Sequence, residues 1–336
     1  MRVLVTGGAG YIGSVIAARL LAAGHAVTVY DDLSRGHRAA VPRGAELVPG
    51  DVRDADRLAA TLGRADVEAV VHMAALAEVA ESIAFPERYH DVNVGGTVAV
   101  VEAALAAGVS RLVLSSTAAV YGAPELLPID EDATLAPTSP YGETKLAGER
   151  VLFEAAAASG GRLSGVALRY FNAAGADGPR GEDHDPESHL IPLALKALRD
   201  GAAIEVFGDD YPTPDGTCIR DYVHVSDLAA AHVAALEGLP AAAGVYNLGT
   251  GTGNSVLDVV RAVAEATART PRVEHAPRRP GDPPVLVASH ARAQAVLNWR
   301  PERTLERTVR DAWTWLQAHP DGYGDRDTDE DSRSVD

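Results

Sequence analysis

The chain has 336 residues, 46% of them hydrophobic, and its mean hydropathy of −0.03 is close to zero. These values indicate a globular protein that is large enough for two lobes around a shared core. The formal net charge of −17 argues against non-specific nucleic-acid binding, because phosphates would be repelled. Since no apolar run approaches the ~20 residues of a membrane-spanning helix and no secretory pattern opens the chain, we expect no membrane partner.

Cysteine and histidine usage limits the redox and metal chemistry. A single cysteine, Cys218, excludes an intramolecular disulfide and a cysteine-based zinc site, which fits a cytoplasmic location. His184 and His189 stand near acidic residues, but they do not have the three- or four-residue spacing of histidines on one helix face. We therefore expect no metal site.

The first element of the chain predicts a dinucleotide site. A short apolar run at residues 3–5 is followed by Gly7, Gly10 and Gly13 and then by an apolar helical pattern. In a strand, turn and helix of this kind, the first glycine permits the tight turn and the second lets a pyrophosphate approach the backbone. The third lets the helix pack on the strand, and the helix N-terminus offers N–H groups to the phosphates.

The second predicted strand, residues 26–30, indicates which dinucleotide binds. It ends at Asp31 and Asp32. A carboxylate here suits the ribose hydroxyls of the adenosine and would repel a 2′-phosphate, which favours NAD over NADP. Arg35 is a nearby cation and keeps NADP open as the lesser alternative.

Strand-like and helical patterns alternate over the next hundred residues. The predicted elements are strands at 46–48, 69–75, 111–114 and 165–168 and a long helix from Pro86 to Ala107. His72, in one of these runs, is interpreted as a packed strand residue. The alternation predicts an α/β fold, a Rossmann-like doubly wound parallel sheet with a smaller α/β C-terminal lobe.

The less regular second half suggests how the chain is divided. We expect an NAD-binding domain over residues 1–170 and a substrate lobe, interleaved with it, over residues 171–320. The end of the chain is crowded with acidic residues. Residues 321–336 are therefore expected to form an acidic, disordered tail.

Tyr141 and Lys145 are candidate catalytic residues. They stand four residues apart in an apolar-periodic run, which places both side chains on one helix face. We expect the ammonium to lower the phenol pKa from its usual ~10, so that tyrosinate acts as a base near neutral pH. By itself this spacing is also typical of a solvated helix face. Here a dinucleotide site precedes the pair and polar, ligand-like segments follow it.

Four features, taken in order, resemble the extended short-chain dehydrogenases/reductases. They are the glycine pattern, Asn93, Ser115-Ser116-Thr117 and Tyr141-x-x-x-Lys145. The resemblance implies that Thr117 shares the substrate proton with the tyrosine, while the lysine binds the nicotinamide ribose. Sugar dehydratases of this family carry an Asp-Glu pair where this chain has Ala118 and Ala119. Dehydration would therefore lack a proton carrier.

From Met1 to about Tyr323 the chain resembles the UDP-glucose 4-epimerases in particular. The matching segments are Tyr-Phe-Asn at 170–172, Arg-Asp-Tyr-Val-His-Val at 220–225, Tyr-Asn-Leu-Gly at 246–249, Asn-Ser-Val-Leu-Asp-Val-Val at 254–260 and Arg-Arg-Pro-Gly-Asp at 278–282. The resemblance implies interconversion of UDP-glucose and UDP-galactose through transient oxidation at C4 by tightly held NAD. It also implies a homodimer.

The same resemblance implies two sets of ligand contacts. For NAD the set is Gly7, Gly10, Tyr11, Ile12, Gly13, Asp31, Asp32, Leu33, Ser34, Asp51, Val52, Met73, Ala74, Ala75, Asn93 and Phe171. For the UDP-sugar, besides Thr117 and Tyr141, it is Asn172, Arg220 and Arg279 at the diphosphate, His189, Leu190, Val206 and Phe207 around the uracil, Asp282 at the uridine ribose and Leu286 near the sugar. Guanidinium groups clamp a diphosphate well, although the two arginines taken alone could equally form surface salt bridges.

Three departures from the family pattern leave alternatives open. Ala77 replaces a lysine often found near the cofactor, and His189 replaces an asparagine of the uracil pocket. Leu286 replaces a bulky tyrosine of some members and leaves space near the sugar C2 substituent. UDP-GlcNAc/GalNAc, a UDP-pentose or a UDP-uronate are therefore alternative substrates. A catalytically silent NAD-binding regulator is a further alternative, against which the intact proton-transfer residues argue.

Overall fold

A computed structural model of the chain describes residues 1–64, 66–279 and 281–324. The strands are β1 Arg2–Thr6, β2 Ala26–Asp31, β3 Glu46–Pro49, β4 Ala69–His72, β5 Arg111–Thr117, β6 Ser164–Tyr170, β7 Asn172–Ala174, β8 Ala203–Phe207, β9 Ile219–Arg220, β10 Tyr222–His224, β11 Gly244–Leu248, β12 Asn254–Ser255, β13 Arg272–Ala276 and β14 Val285–Leu286. The helices are α1 Tyr11–Ala22, α2 Ala55–Arg64, α3 Val79–Ala84, α4 Pro86–Tyr89, α5 Gly96–Ala106, α6 Pro140–Ala158, α7 Leu190–Asp200, α8 Val225–Gly238, α9 Val256–Thr267, α10 Ala291–Leu297 and α11 Leu305–Ala318.

Seven parallel strands form the main sheet, in the order β11-β6-β5-β4-β1-β2-β3. The last residue of β1, Thr6, is in register with Tyr30 of β2 and His72 of β4. The carboxyl ends of the strands therefore share one edge, and the strand order reverses between β1 and β4. Ligands of open α/β sheets bind in the crevice at such a reversal. The predicted Rossmann-like fold is confirmed.

Apolar strands covered on both faces hold this sheet together. Residues 3–5, 69–71 and 112–114 are buried throughout, as parallel strands between two helical layers must be. Helices α1 and α8 pack on one face, with Val15, Ile16 and Leu228 in its core. Helices α2, α5 and α6 cover the other face.

The second half of the chain builds a smaller lobe and also completes the main sheet. Its short sheets pair β7 with β10, β8 with β13, and β9 with both β12 and β14. Their core includes apolar residues of α7, α9 and α11. Strand β11 instead joins the main sheet beside β6, and α8 covers that sheet, so the two halves are interleaved.

Three local features differ from the sequence prediction. The helix expected from Pro86 to Ala107 is helical throughout, but its middle, His90–Gly95, is a π-helix. The strand expected over residues 69–75 ends at His72. At the start of the expected tail Tyr323 stacks on His37, with ring centroids 4.8 Å apart, whereas residues 325–336 lie outside the described residues.

His72 and His232 are buried histidines of the main sheet and of helix α8. The ring of His72 contacts Thr6 Oγ1 at 2.7 Å and Thr97 Oγ1 at 3.1 Å, as expected for a packed strand residue. Burial, together with the charge of Lys145, lowers its pKa to about 3. Burial also lowers the pKa of His232 to about 4, although a hydrogen bond to Leu228 opposes the shift. Both rings are therefore neutral at neutral pH.

Within the part of the chain that the structure describes, none of the helices combines the length and the apolar character needed to cross a bilayer.

We predict that His232→Gln makes the stability of the protein less sensitive to mild acid. The native ring has a pKa of about 4, whereas the unfolded chain takes up the proton near the ordinary value of 6.5. Between these values the unfolded state binds more protons, so the free energy of unfolding falls as the pH drops. For one such residue the slope is at most about 1.4 kcal/mol per pH unit.

Chemical denaturation at two pH values within this window measures the slope. His232→Gln also removes a contact with the Tyr170 hydroxyl, so the variant is expected to be less stable at both pH values. The decisive quantity is therefore the difference in slope between variant and parent. Equal slopes would show that His232 is not the group that titrates.

Candidate active site

The loop between β1 and α1 and the first turn of α1 each contain a position that accepts only glycine. Gly7 has a φ of +67°, and a Cβ atom there would lie 2.5 Å from the backbone nitrogen of Ala74. A Cβ on Gly13 would lie 2.1 Å from the carbonyl oxygen of Gly7. Gly10 precedes α1 and caps it with no side chain, so the first N–H groups of the helix face the loop without a side-chain acceptor. This cradle fits a dinucleotide pyrophosphate.

Asp31 fixes the same loop from the end of β2. Its carboxylate accepts hydrogen bonds from the backbone nitrogens of Ala9 and Leu33, both at 2.9 Å. Burial raises the pKa of Asp31, although these two bonds oppose the shift. Leu33 has a φ of 61°, which is rare for a branched side chain and marks a constrained turn. The predicted ribose-binding acid thus also holds the backbone around the cofactor site.

Most of the other predicted cofactor residues lie just after the carboxyl ends of β2, β3, β4 and β6. Asp32 accepts hydrogen bonds from the Ser34 backbone nitrogen and hydroxyl. Asp51 is paired with Arg53 at 2.5 Å, and this hydrogen bond lowers its pKa. Three side chains are buried or nearly so, Tyr11, Val52 and Phe171, and three partly buried residues follow β4, Met73, Ala74 and Ala75. Ile12 is also partly buried and packs against the core under α1.

Tyr141 and Thr117 meet at the carboxyl edge of the sheet. Ser139 caps α6 through its hydroxyl, which accepts from the backbone nitrogen of Gly142 at 3.2 Å, and so sets Tyr141 in the first turn. The hydroxyl of Thr117, at the end of β5, lies close enough to the phenol to oppose the rise of its pKa. Its oxygen accepts from the Ala119 nitrogen at 3.1 Å, which leaves its own proton available to a partner. Such a pair can hold and pass a proton.

The expected lowering of the Tyr141 pKa by Lys145 is wrong for this structure. Burial raises the pKa of Tyr141 to about 12, the bond from Thr117 opposes the shift, and the charge of Glu78 adds to it. Burial also lowers the pKa of Lys145 to about 8, against the charge of Glu149. The ammonium donates to Ser115 Oγ at 3.0 Å, and its charge is not among the causes that shift the Tyr141 pKa.

Asn93, predicted to contact the cofactor, forms hydrogen bonds that join two segments of the candidate site. Its amide oxygen accepts from the Leu76 nitrogen at 2.8 Å, and its amide nitrogen donates to Leu76 O at 3.1 Å and Thr144 Oγ1 at 3.0 Å. The side chain thereby ties the segment after β4 to helix α6. The π-helix provides the wider turn in which this residue is buried.

The predicted UDP-binding residues lie in the smaller lobe. Arg220 donates to Asp282 at 2.9 Å, so the guanidinium is held by the acid that was expected at the uridine ribose. Arg279 stacks over the Phe207 ring at 4.1 Å. Leu286 of β14 is in register with Arg220. Asn172 is partly buried in β7, Val206 is buried and Leu190 packs beside it.

His189 was expected to line the uracil pocket, but in the structure its ring contacts two glutamates. Its Nδ1 lies 2.9 Å from Glu182 Oε1 and 3.0 Å from Glu187 Oε1, and His184 Nδ1 lies 3.2 Å from the same Glu182 oxygen. The charge of Glu182 raises the pKa of His189 to about 11, against burial. The sequence showed His184 and His189 near acidic residues, but their convergence with Glu182 and Glu187 could not be predicted, since the segment is irregular and has no helical spacing.

Comparison with known proteins identifies the family to which the chain belongs. The profile of the NAD dependent epimerase/dehydratase family matches residues 3–249. The chain belongs to this family. A UDP-glucose 4-epimerase of Streptomyces lividans is 51% identical over 326 residues, which cover 96% of this chain and 98% of the relative.

Solved structures extend the similarity to the fold. The structure of UDP-glucose 4-epimerase from Brucella ovis in complex with NAD is 47% identical with a TM-score of 0.89, over 93% of this chain and 97% of that one. The UDP-glucose-4-epimerase from Stenotrophomonas maltophila, with bound NAD and formylated UDP-arabinopyranose, is 40% identical with a TM-score of 0.92, over 95% and 99%. NAD is the cofactor of this epimerase/dehydratase family.

A buried ion pair next to Lys145 was also missed from sequence. Glu149 follows the lysine by one helical turn and forms a two-pronged pair with Arg169 of β6, at 2.9 and 2.6 Å. The Ser116 hydroxyl donates to the same carboxylate. The spacing of four residues between Lys145 and Glu149 was the available signal. The negative charge of Glu149 opposes the effect of burial, which lowers the pKa of Lys145.

We predict that Gly13→Ala reduces NAD retention at least tenfold or so. The added methyl would overlap the Gly7 carbonyl, and the displacement needed to accommodate it costs about 1–3 kcal/mol at the cradle. Gly63→Ala is the matched control, because a Cβ there meets nothing within 4 Å.

Release of bound NAD by denaturing the purified proteins gives the cofactor content of each. The expected order is parent equal to Gly63→Ala and both well above Gly13→Ala. Full NAD content in Gly13→Ala would show that the cofactor does not use this loop.

Proposed function

We propose that the chain interconverts UDP-glucose and UDP-galactose by transient oxidation at C4 of the sugar, with tightly bound NAD. The observation that carries the proposal is that Thr117 and the buried Tyr141 lie together at the carboxyl edge of the sheet whose first strand leads into a glycine loop that fits a dinucleotide. The relatives named above carry the name of this activity at 40% to 51% identity over nearly their full length.

The proton of the sugar hydroxyl passes to Tyr141, directly or through the Thr117 hydroxyl. With a pKa of about 12, the phenol is neutral at neutral pH in the protein without ligands. When bound, NAD supplies the hydride acceptor and donor and, as NAD⁺, a positive charge that favours the phenolate. Lys145, with a pKa of about 8, still carries most of its positive charge at pH 7 and stays within one helical turn of the phenol.

The nucleotide end of the substrate is held while the sugar turns. Asn172, Arg220 and Arg279 bind the diphosphate, since guanidinium groups match its oxygens in geometry and charge. Asp282 already positions the Arg220 guanidinium, so less side-chain freedom is lost when the substrate binds. Reduction on the opposite face of C4 then requires only that the sugar rotate about its pyrophosphate linkage.

A second candidate function keeps this chemistry on a different UDP-sugar. Leu286 lies in register with Arg220, so it stands beside the proposed diphosphate site, and it is smaller than the tyrosine of some relatives. Among the similar structures, the one from Stenotrophomonas maltophila contains a formylated UDP-arabinopyranose. A UDP-N-acetylhexosamine, UDP-pentose or UDP-uronate is therefore the alternative substrate.

A homodimer and a cytoplasmic location also belong to the proposal. Two large apolar side chains just before helix α4, Ile83 and Phe85, are 64% and 58% exposed. Burying such side chains against a second copy would remove apolar surface from water. The buried free thiol of Cys218 fits a reducing compartment.

We predict that Tyr141→Phe lowers the turnover of UDP-galactose by about 10²–10⁴-fold, because a positioned acid–base group contributes that much. Folding and NAD content are expected to stay unchanged. Tyr246→Phe is the matched control, since its hydroxyl donates to Ala242 O at 2.8 Å at the far edge of the sheet. Turnover is measured without added NAD.

Two outcomes would contradict this assignment. If Tyr141→Phe retains the turnover of the parent, the tyrosine is not the base. If the parent itself holds NAD and turns over none of the UDP-sugars named here, the chain is a silent NAD-binding regulator.

We predict that Leu286→Tyr narrows the substrate range. A phenol ring at this position fills the space near the sugar C2 substituent, so turnover of UDP-GalNAc is expected to fall at least tenfold or so relative to UDP-galactose. Leu193→Tyr is the matched control, because that leucine is 38% exposed on helix α7. An unchanged ratio of the two rates in Leu286→Tyr would show that the residue does not line the sugar site.

A further inference from the structure

Two histidines and two glutamates converge in the irregular segment before helix α7. One ligand atom from each of Glu182, His184, Glu187 and His189 can be chosen so that all four atoms lie within 4.8 Å of one another. The residues are close in sequence but lie on no common helix or strand. The irregular course of the backbone, rather than the periodicity of a helix or strand, brings these two imidazoles and two carboxylates close together.

The hydrogen bonds of this cluster are incomplete. Glu187 Oε2 and His184 Nδ1 are buried atoms that have no hydrogen-bond partner in the described structure. The Glu187 side chain is only 5% exposed, and the Glu182 side chain 6%. The Lys196 ammonium is 4.0 Å from Glu187 Oε2, too far for a hydrogen bond, so this buried oxygen has exchanged its hydration for an ion pair alone. A bound cation would satisfy it.

The spacing of the cluster suits a metal ion. Zinc binds carboxylate oxygens and imidazole nitrogens at about 2.1 Å, which places the ligands of a tetrahedron about 3.4 Å apart. The nearest nitrogen–oxygen pairs here are separated by 2.9, 3.0 and 3.2 Å. No pair of the chosen atoms exceeds 4.8 Å. Small side-chain movements therefore bring all four atoms to bonding distance.

The charges also balance. Two carboxylates with two neutral imidazoles carry a charge of −2, which one divalent cation neutralises.

We propose that Glu182, His184, Glu187 and His189 form a binding site for a divalent transition metal, with zinc as the ion that this donor set fits best. A cation of this charge and ligand preference would hold the segment before α7 in one conformation. Because metal content is the readout, the inference stands or falls independently of the proposed sugar chemistry.

Two charged or titratable groups from other elements face the site. Lys196 of α7 has its ammonium 4.0 Å from Glu187 Oε2 and would have to turn away when a metal binds. Tyr11 of α1 lies edge-on to His184, with ring centroids 6.3 Å apart, and its pKa is raised by burial and by the charges of both glutamates. It is therefore neutral and does not compete for the cation.

The site is tested on the full chain after chelator treatment, by titration with Zn²⁺ and with Co²⁺. We expect one Zn²⁺ per chain, and Co²⁺ absorption bands of a tetrahedral nitrogen–oxygen site.

Three variants separate a built site from scattered surface binding. His184→Gln and, independently, Glu187→Gln each remove one ligand and are expected to weaken Zn²⁺ binding by about 100-fold or more. His275→Gln is the matched control, because that exposed histidine faces a single carboxylate, Asp209, at 3.6 Å. Circular dichroism and NAD content show whether each variant is folded.

Either of two results would overturn the inference. One is a parent protein that binds no stoichiometric Zn²⁺ or Co²⁺. The other is folded Glu187→Gln or His184→Gln protein that binds the metal as tightly as the His275→Gln control. Either would mean that the four residues form only a proton-linked ion-pair cluster.

Discussion

The chemistry proposed for the candidate active site depends on keeping the side chains of Tyr141 and Lys145 away from water. Burial disfavours the charged form of each, so it raises the pKa of Tyr141 to about 12 and lowers that of Lys145 to about 8. The protein offsets part of this cost with the Thr117 hydroxyl at the phenol and with Glu149 below the ammonium. In the protein alone the tyrosine is therefore neutral, and a charge brought by the ligands is needed to favour its anion.

The fold brings Thr117, Tyr141 and the glycine loop together from distant parts of the chain. Thr117 ends β5, Tyr141 begins α6, and the glycine loop follows β1. All three elements reach the carboxyl edge of one parallel sheet, at the reversal of strand order. Arg169 of β6 closes the arrangement from below by pairing with Glu149. The main sheet thus carries the candidate reacting groups, while the smaller lobe carries the residues proposed to bind the UDP.

Residues whose roles follow from local spacing could be predicted from sequence. The first strand, the glycine loop and helix α1 form a continuous segment, and the four-residue spacing of Tyr141 and Lys145 is a property of one helix. The long apolar runs likewise identified the buried strands and hence the fold, although their ends shifted by a few residues.

Features that depend on tertiary contacts could not be predicted in this way. The direction of the Tyr141 pKa shift follows from burial, which no spacing reveals. Arg220 and Asp282 are 62 residues apart and meet through the pairing of β14 with β9. Glu182, His184, Glu187 and His189 converge because an irregular segment bends back on itself, and periodicity carries no information about such a segment.

Strand β11 links the two halves more closely than their sequence order suggests. It lies at the end of the main sheet and pairs with β6 over residues 244–248, while α8 covers the face beside it. A fragment ending at residue 170 would leave the hydrogen-bonding edge of β6 open and uncover apolar surface. Residues 1–170 therefore do not complete the main sheet by themselves, because its last strand comes from the second half of the chain.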